Sequence, residues 1–491
     1  MTRPHDEGDL SLNDIIAAAL QAASDAGATY ADARVVDSAR EDISVASGVV
    51  EGVERSDSFG IGVRAIADGA WGFASTAAVT PESAAKVARE AVAVGRASAL
   101  VAGAPLQLAP VEPARGTWSS SFEIDPFTVA LEDKLALLLA ADEALRAEPA
   151  VKLTKAHLGF RRWHWWFGST EGALIEQTAV ESGAGIVAYA VADGEVVSRS
   201  YPNSHGGGWR QAGWEYVVGL DLTAHAPHVA EQAAALLTAP YVEPGTRDLI
   251  IDGSQMALQV HESIGHPTEL DRVLGEEAAF AGTSWVKIGD FGTLRYGSSH
   301  VNVTADATVA GSLGSFGWDD EGVPATREDI VREGVLVGAL SSRETAPLIG
   351  QASSGAMRAD GWNRIPLVRM TTVSLLPGSW DFDELLADTP GGLYVETNNS
   401  WSIDDKRLNF QFATEVGWEI ESGRLGRMVR QPNYTGITPE FWGSCDAVCS
   451  EAHWQVWGLA NCGKGEPMQV ARVAHGAAPA RFRNVQVGVG R

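Results

Sequence analysis

His261-Glu262-Ser263-Ile264-Gly265-His266 puts two imidazoles and a carboxylate into six residues, directly after the largely apolar run Met256-Ala257-Leu258-Gln259-Val260. A fold that accepts this stretch has to bring its polar groups against a core. A partly buried glutamate beside two histidines is costly unless a cation or a hydrogen-bond network compensates it. A neutral imidazole nitrogen is a good zinc ligand, and a catalytic zinc takes three protein ligands and one water. The glutamate next to the first histidine is then placed to act as the base that deprotonates this water for attack on a carbonyl. The stretch reads as a metallohydrolase site.

Its spacing differs from the common zinc-protease motif. In H-E-x-x-H the histidines are four residues apart, roughly 40° around a helix; five apart, they are roughly 140° apart on an ideal helix. Two remedies exist. A one-residue π-bulge restores the facing geometry, and such bulges recur at functional sites. Alternatively the helix ends at Gly265 and His266 swings back from a non-helical position. Gly265 suits a helix end and Pro267 disfavours the α conformation at His266, so the second remedy is the expected one.

A further ligand has to come from elsewhere. The three cysteines, Cys445, Cys449 and Cys462, all lie near the end of the chain. Cys462 sits in Asn461-Cys462-Gly463-Lys464-Gly465-Glu466-Pro467, whose glycines and proline imply a tight turn with an exposed, aimed thiol. Lys464 would favour the thiolate, the form that binds metal. Cys445, Cys449 and His453 form a competing set, spaced four apart along one side of an expected helix, Ser444 to Trp454. Such a stripe of small thiols is more often helix core. The local residues leave both sets open.

Three cysteines do not make a disulfide scaffold, and the polar start, Met1 to Asp14, does not resemble a signal peptide. No apolar run approaches the roughly 20 residues of a membrane span. The expectation is a soluble, cytoplasmic protein. Lys and Arg number 37 against 63 Asp and Glu, a net charge of −26 spread along the chain. That balance repels nucleic acid and anionic membrane, and no basic stripe overrides it.

The organisation reads as two domains, 1–240 and 241–491. In the first, residues 11–27 form an amphipathic helix capped by Ser11, with Leu12, Ile15, Ile16, Ala19 and Leu20 on one face. Asp32 to Val36, Asp42 to Ser47 and Gly48 to Glu54 read as strands of a meander. Gly60 to Ala67 and Ala70 to Ser75 form a hairpin turning at Asp68-Gly69. Helices follow from Thr80-Pro81-Glu82 to about Ala97, and from Asp133 to Ala147, with a proline-rich linker between them. Strands recur from Val151 to Ser200, and the run Trp163-His164-Trp165-Trp166-Phe167 alternates between a core and a partner surface. Gly206-Gly207-Gly208 is not a phosphate loop, because no G-K-[ST] follows.

In the second domain, Thr246 to Asp252 is a strand leading into the motif helix, about Gly253 to Gly265. Short apolar alternations follow at 301–304, 336–340, 371–375, 392–396 and 410–420, spaced by turns. They predict a mostly antiparallel, barrel-like β domain. The fold class is α+β: a mixed N-terminal domain, then a mainly-β C-terminal domain carrying the metal-site helix.

These residues resemble the TldD/PmbA family of bacterial and archaeal proteins, and its TldD-type, metal-bearing member, over essentially the whole chain. The resemblance rests on Gly60-Ile61-Gly62-Val63-Arg64 with Asp68-Gly69-Ala70-Trp71-Gly72-Phe73, on His261-Glu262-x-x-x-His266, on Gln431-Pro432-Asn433-Tyr434-Thr435-Gly436, and on Cys462-Gly463-Lys464-Gly465. It implies a zinc-dependent peptidase in which His261, His266 and Cys462 bind Zn2+ and Glu262 is the general base. Family members are implicated in maturing ribosomally made modified peptides and in degrading antitoxins and unfolded peptides. The TldD type commonly pairs with a PmbA-type subunit, so a heterodimer, or failing that a homodimer, enclosing a peptide-admitting chamber is expected. An extended peptide would add to a sheet edge through main-chain hydrogen bonds. Tyr434 and Arg430 are expected to be structural. Two other classes stay open: a binding subunit with a structural metal, and a hydrolase of small amides.

Overall fold

The computed structural model describes residues 11–280 and 282–488. The polar start read above therefore lies, over residues 1–10, outside the described residues. Helix α1 (Leu12–Asp25) opens on the expected cap. The Ser11 hydroxyl accepts the Asp14 N–H at 3.3 Å and the Asp14 carboxylate accepts the Ser11 N–H at 3.1 Å, a reciprocal box that satisfies two orphan donors. Strands β1 (Tyr30–Ala46), β2 (Val49–Ala67) and β3 (Ala70–Thr76) follow, then α2 (Pro81–Ala99) from its Thr80 cap. The β2–β3 hairpin turns at Asp68-Gly69, whose φ angles of +50° and +81° are the pair that a two-residue turn of this hand requires.

The strands expected at Asp32–Val36 and Asp42–Ser47 are one 17-residue strand, β1. Buried charges along this strand are paired. Glu41 is 2% exposed and accepts from Arg55 at 2.5 Å and from the buried Lys134. Asp32 holds Arg64 at 2.7 Å in the same way. A charge with its partner in place is tolerated in a buried strand and does not end it.

After β4 (Arg115–Ser119) and α3 (Leu131–Arg146) come β5 (Val151–Ser169), β6 (Leu174–Ala192), β7 (Glu195–Tyr201) and β8 (Gly208–Arg210), then α4 (Trp214–Gly219) and α5 (Leu222–Leu236). The sheet runs β3-β2-β1-β5-β6-β4, with β7 and β8 also on β6, and only β4 pairs in parallel. Helices α1 and α2 bury their apolar stripes at one end of this sheet, α3 and α5 at the other. Within β5 the aromatic run alternates as expected. Trp166 joins the α1–α2 core, while Trp163 and Trp165 line a cavity against the C-terminal half.

In that half, β9 (Gly245–Ile251) leads through the Asp252 cap into α6 (Gly253–Val260). Next come α7 (Leu270–Leu274), β10 (Val303–Asp306), β11 (Arg327–Arg332), β12 (Val335–Leu336), β13 (Met357–Arg358), β14 (Leu367–Val368), β15 (Thr372–Leu375) and α8 (Phe382–Ala387). The chain continues through β16 (Gly391–Ile403), β17 (Asn409–Glu421), β18 (Arg424–Arg430), β19 (Asn433–Ile437), α9 (Thr438–Gly443), β20 (Cys445–Val448), β21 (Gln455–Lys464), β22 (Gln469–Ala477) and β23 (Ala480–Val487).

Strands β16, β9, β23, β19 and β17 close on themselves through the β16–β17 pairing, which is the expected barrel. Only β16–β9 is parallel within it. A second sheet, β12-β11-β10-β15-β22-β21, has β21 at its edge. Helix α6 lies against both, burying Met256 and Val260 in their shared core. The strand expected at 336–340 shrinks to β12, because Leu340 instead bonds to Thr268 O and Leu270 N, beyond His266. The helix expected from Ser444 to Trp454 is also absent. The Ser444 N–H closes α9, and the next residues form β20 on β23 and a 3-10 turn at Glu451–His453. Strand pairing here overrides the helix-like spacing. No helix among the described residues is long and apolar enough to cross a membrane.

Candidate metal centre

Helix α6 is set by its own polar contacts. The Asp252 carboxylate accepts the N–H groups of Ser254 at 2.9 Å and Gln255 at 3.0 Å. Gln255 Nε2 donates to the Tyr434 hydroxyl at 2.9 Å, and that hydroxyl donates to Gln259 Oε1 at 3.0 Å. Tyr434 thus clamps one side of α6, a structural role as expected. Arg430 lies over the Tyr241 ring at 4.2 Å and bonds to Glu195 at 3.3 Å, also structural.

The helix does not end at Gly265. It continues as one wide turn, His261–Gly265, in which the His266 N–H bonds to His261 O, five residues back. His266 itself is α-helical, with φ −61° and ψ −45°, despite the proline after it. The bulge is therefore the remedy used, and the imidazole centroids lie 4.6 Å apart. Two contacts explain the outcome. Pro267 has no N–H to give Ser263 O, and the Tyr296 hydroxyl supplies that bond instead. Gly265 has ordinary helical angles, and its role is space: a Cβ there would lie 2.3 Å from Met370 Sδ. Gly265→Ala is accordingly expected to destabilise the fold by about 1–3 kcal/mol, read by urea unfolding. An unchanged midpoint would show that Met370 can yield.

The turn brings His261 and His266 to Cys462 of β21, and their ligand atoms all lie within 4.8 Å of one another. All three are buried. The local hydrogen bonds assign the imidazole tautomers. Val373 O can only accept, so His475 Nδ1 donates to it at 2.9 Å, leaving His475 Nε2 as an acceptor. His261 Nδ1 then donates to that atom at 2.8 Å, and its Nε2 keeps a lone pair. His266 Nδ1 bonds to Glu269 Oε2 at 2.9 Å, which likewise leaves Nε2, 3.8 Å from Cys462 Sγ, as the free lone pair. Burial holds the His261 pKa down to about 4, against the opposing pull of Glu262 and Glu269. For Cys462, burial raises the pKa, but Arg369 and His266 outweigh it and the net shift is downward. Two neutral nitrogens and a thiol inclined to ionise fit the donor set of a zinc site with three protein ligands.

Cys462 differs from its expected setting. It lies in a strand at 5% exposure, and the turn begins after Lys464. Lys464 does not act on the thiol as expected, because its ammonium is held by Asp271 at 2.8 Å and Glu269 at 3.3 Å. The competing set is core. Cys445 and Cys449 are 1% and 0% exposed, burial pushes both thiols up to about 12, and His453 bonds to Asp381.

Glu262 is 5% exposed, and its Oε2 accepts Arg407 Nη1 at 2.6 Å. Arg407 sits at φ +60° in the β16–β17 turn. It was not anticipated, nor were His475 and Glu269. Glu269, three residues after His266, carried a local signal as the acid nearest that histidine in the sequence. The other two arrive through long-range pairing, which leaves no local pattern. His475→Ala is expected to weaken zinc binding about 10–100-fold, with His475→Gln partly restoring it, in competition against a chromophoric chelator. Equal affinities would remove the tautomer argument.

Comparison with known proteins follows the same lines. The PmbA/TldA metallopeptidase family profiles match domain 1 at residues 31–95, the central domain at 124–239 and the C-terminal domain at 244–489. A metalloprotease of Methanocaldococcus jannaschii is 26% identical, covering 89% of this chain and 92% of its own. A metalloprotease of Synechocystis is 29% identical, covering 94% and 95%. A protein of Saccharolobus solfataricus named as a zinc metalloprotease TldD homologue is 22% identical over half of each chain (50% and 52%). Among solved structures, a Thermotoga maritima protein described as a modulator of DNA gyrase superposes with a TM-score of 0.76 at 17% identity, covering 97% and 100%. TldE from Thermococcus kodakarensis gives 0.73 at 14%, covering 96% and 100%. The profiles together span most of the chain, including the stretch that bears His261, His266 and Cys462, and the chain belongs to the PmbA/TldA metallopeptidase family.

Proposed function

We propose that the chain is a zinc-dependent peptidase acting on extended or unfolded peptides, with His261, His266 and Cys462 as the ligands and Glu262 as the general base. The observation that carries this reading is the convergence of three ligand-type atoms within 4.8 Å beside a buried glutamate. Zinc, when bound, supplies a Lewis acid that acidifies water and polarises a carbonyl. The chain's own residues do the rest. Glu262 Oε1, the oxygen that Arg407 does not hold, takes the proton from water and passes it to the leaving amine. Arg407 fixes the orientation of that carboxylate. His475 and Glu269 hold the imidazoles with their Nε2 lone pairs forward.

Peptide recognition uses the outer edge of β21, the edge strand that carries Cys462. A substrate strand added there would gain main-chain hydrogen bonds with little sequence preference. The same reading includes a second subunit, either a PmbA-type partner or another copy, and the likeness to TldE is what supports a partner of this fold. Maturation of modified peptides and degradation of antitoxins are the substrate classes proposed, in the cytoplasm.

The test is zinc content beside hydrolysis of unstructured peptides, before and after chelation, with and without any copurifying subunit. About one zinc per chain, with cleavage lost on chelation and restored by zinc, is the expected result. A second reading, a binding subunit with a structural metal, is favoured by one observation: the Arg407 ion pair that engages Glu262. Zinc retained with no cleavage, even beside a partner, would select it.

A further inference from the structure

A cavity outside the metal centre lies between β1, β5 and β6 and the segments 315–320, 358–361 and 470–472. Its unfilled space is about 700 Å³ with the mouth included. Its lining includes the aromatic rings of Trp163, Trp165, Phe316 and Trp318 and the guanidiniums of Arg34, Arg358, Arg369 and Arg472. Arg472 lies 3.4 Å over the Trp163 ring and Arg358 5.8 Å over that of Phe316.

The charges of this lining do not cancel pair by pair. Arg34 is met by Asp320 at 3.1 Å and Arg472 by Glu181 at 3.1 Å. The other two acids are turned to main chain. Asp319 accepts the N–H groups of Glu321, Val323 and Met357, and Asp360 accepts that of Val470 at 2.9 Å. Among the described residues, Arg358 and Arg369 have no carboxylate within ion-pair distance. Arg369 Nη1 and Nη2 donate to Gln469 O and Cys462 O, and Arg358 Nη2 to Met370 O and Arg472 O. The Nε of each is buried with no acceptor, and Arg369 is 1% exposed. Burial first, and the neighbouring Arg369 and Arg472 second, pull the Arg358 pKa down to about 9. Two buried guanidiniums with spare donors, in a cavity lined also by aromatic rings, are the chemistry that takes a carboxylate on an apolar group.

We propose that this cavity binds a carboxylate carried on an apolar or aromatic moiety, held by Arg358 and Arg369 and flanked by Trp163, Trp165 and Trp318. Arg369 also grips the backbone of Cys462, so the subsite adjoins the metal centre through β21. Its use as a substrate subsite rests on the peptidase reading, whereas its affinity for a carboxylate does not. The carboxylate comes from a peptide C-terminus or from an acidic side chain.

The test reads binding alone, by tryptophan fluorescence and calorimetry on the full chain, zinc-loaded and chelated. The probes are N-acetylphenylalanine, its amide, and N-acetylglutamic acid α-amide. The free acid is expected to bind about tenfold or more tighter than the amide in both metal states. Arg358→Gln should lower its affinity about tenfold, and Ala179→Leu, which narrows the cavity without touching a charge, should do likewise. Thermal unfolding checks that both variants fold, and if Arg358→Gln does not, Ala179→Leu decides. Preference for N-acetylphenylalanine assigns the site to a C-terminus. Preference for the glutamate probe keeps the site and assigns it to a side chain. Equal binding of acid and amide, or affinity unchanged in both variants, overturns the proposal. Cleavage of peptides without acid binding would sink this inference and leave the peptidase reading intact, and the converse holds too.

Discussion

Changing Glu262 to glutamine is expected to lower kcat for peptide cleavage about 10²–10⁴-fold while the zinc content stays unchanged. The argument is geometric. Glu262 is next to His261 on the wide turn, buried, and oriented through its Oε2 by Arg407. Glutamine keeps the shape and can still accept from Arg407, but it cannot take a proton at Oε1. The ligand-type atoms belong to other side chains, so metal binding should survive. Parallel measurement of zinc stoichiometry and single-turnover cleavage separates the two effects. Full activity in the variant would remove Glu262 from the mechanism, whereas loss of both zinc and activity would make it part of the metal site instead.

Glu269→Ala is expected to cost about 3–5 kcal/mol of stability, the penalty for stranding buried charges. Glu269 is 0% exposed and receives His266 at 2.9 Å, Lys464 at 3.3 Å and Arg272 at 3.4 Å. Burial opposes its ionisation, yet Lys464, His266 and Arg272 together hold its pKa well below the ordinary carboxylate range. Removal leaves Lys464 with Asp271 as its remaining acidic partner within ion-pair distance, and frees His266 from its tautomer. Zinc affinity should therefore also fall, about 10–100-fold. Glu269→Gln, which keeps an acceptor for His266 but not the charge, should fall between. Urea unfolding of the metal-free proteins gives the first number and chelator competition the second. A loss of under about 1 kcal/mol would mean that Asp271 alone balances Lys464 and that the hub is redundant.

Much of the secondary structure was legible from local chemistry. The Ser11 cap, the Thr80-Pro81 helix start, the Asp68-Gly69 turn and the motif helix each depend on residues a few positions apart. The barrel was legible from alternation in the runs at 392–396 and 410–420, which became β16 and β17, whereas the other three runs went to the second sheet. Failures came where a distant residue decided a local choice. Paired charges let β1 run through a polar stretch, and β23 captured Cys445–Val448 as a strand.

The candidate site divides along the same line. The chain's order alone placed His261 and Glu262 on one helix with His266 just past its expected end, and offered Cys462 beside Cys445 and Cys449 as sources of sulfur. Of the three thiols, the tertiary structure sets Cys462 beside His266, because β21 carries it across to a residue 196 positions earlier. The tertiary structure likewise chose the bulge over the helix end, through Met370 filling the space at Gly265 and Tyr296 capping Ser263 O. Arg407, His475 and the arginines of the second cavity also belong to this part. Capping and periodicity act over one or two turns of chain, whereas a ligand set, a tautomer and a buried charge are settled by whatever atoms the fold sets against them.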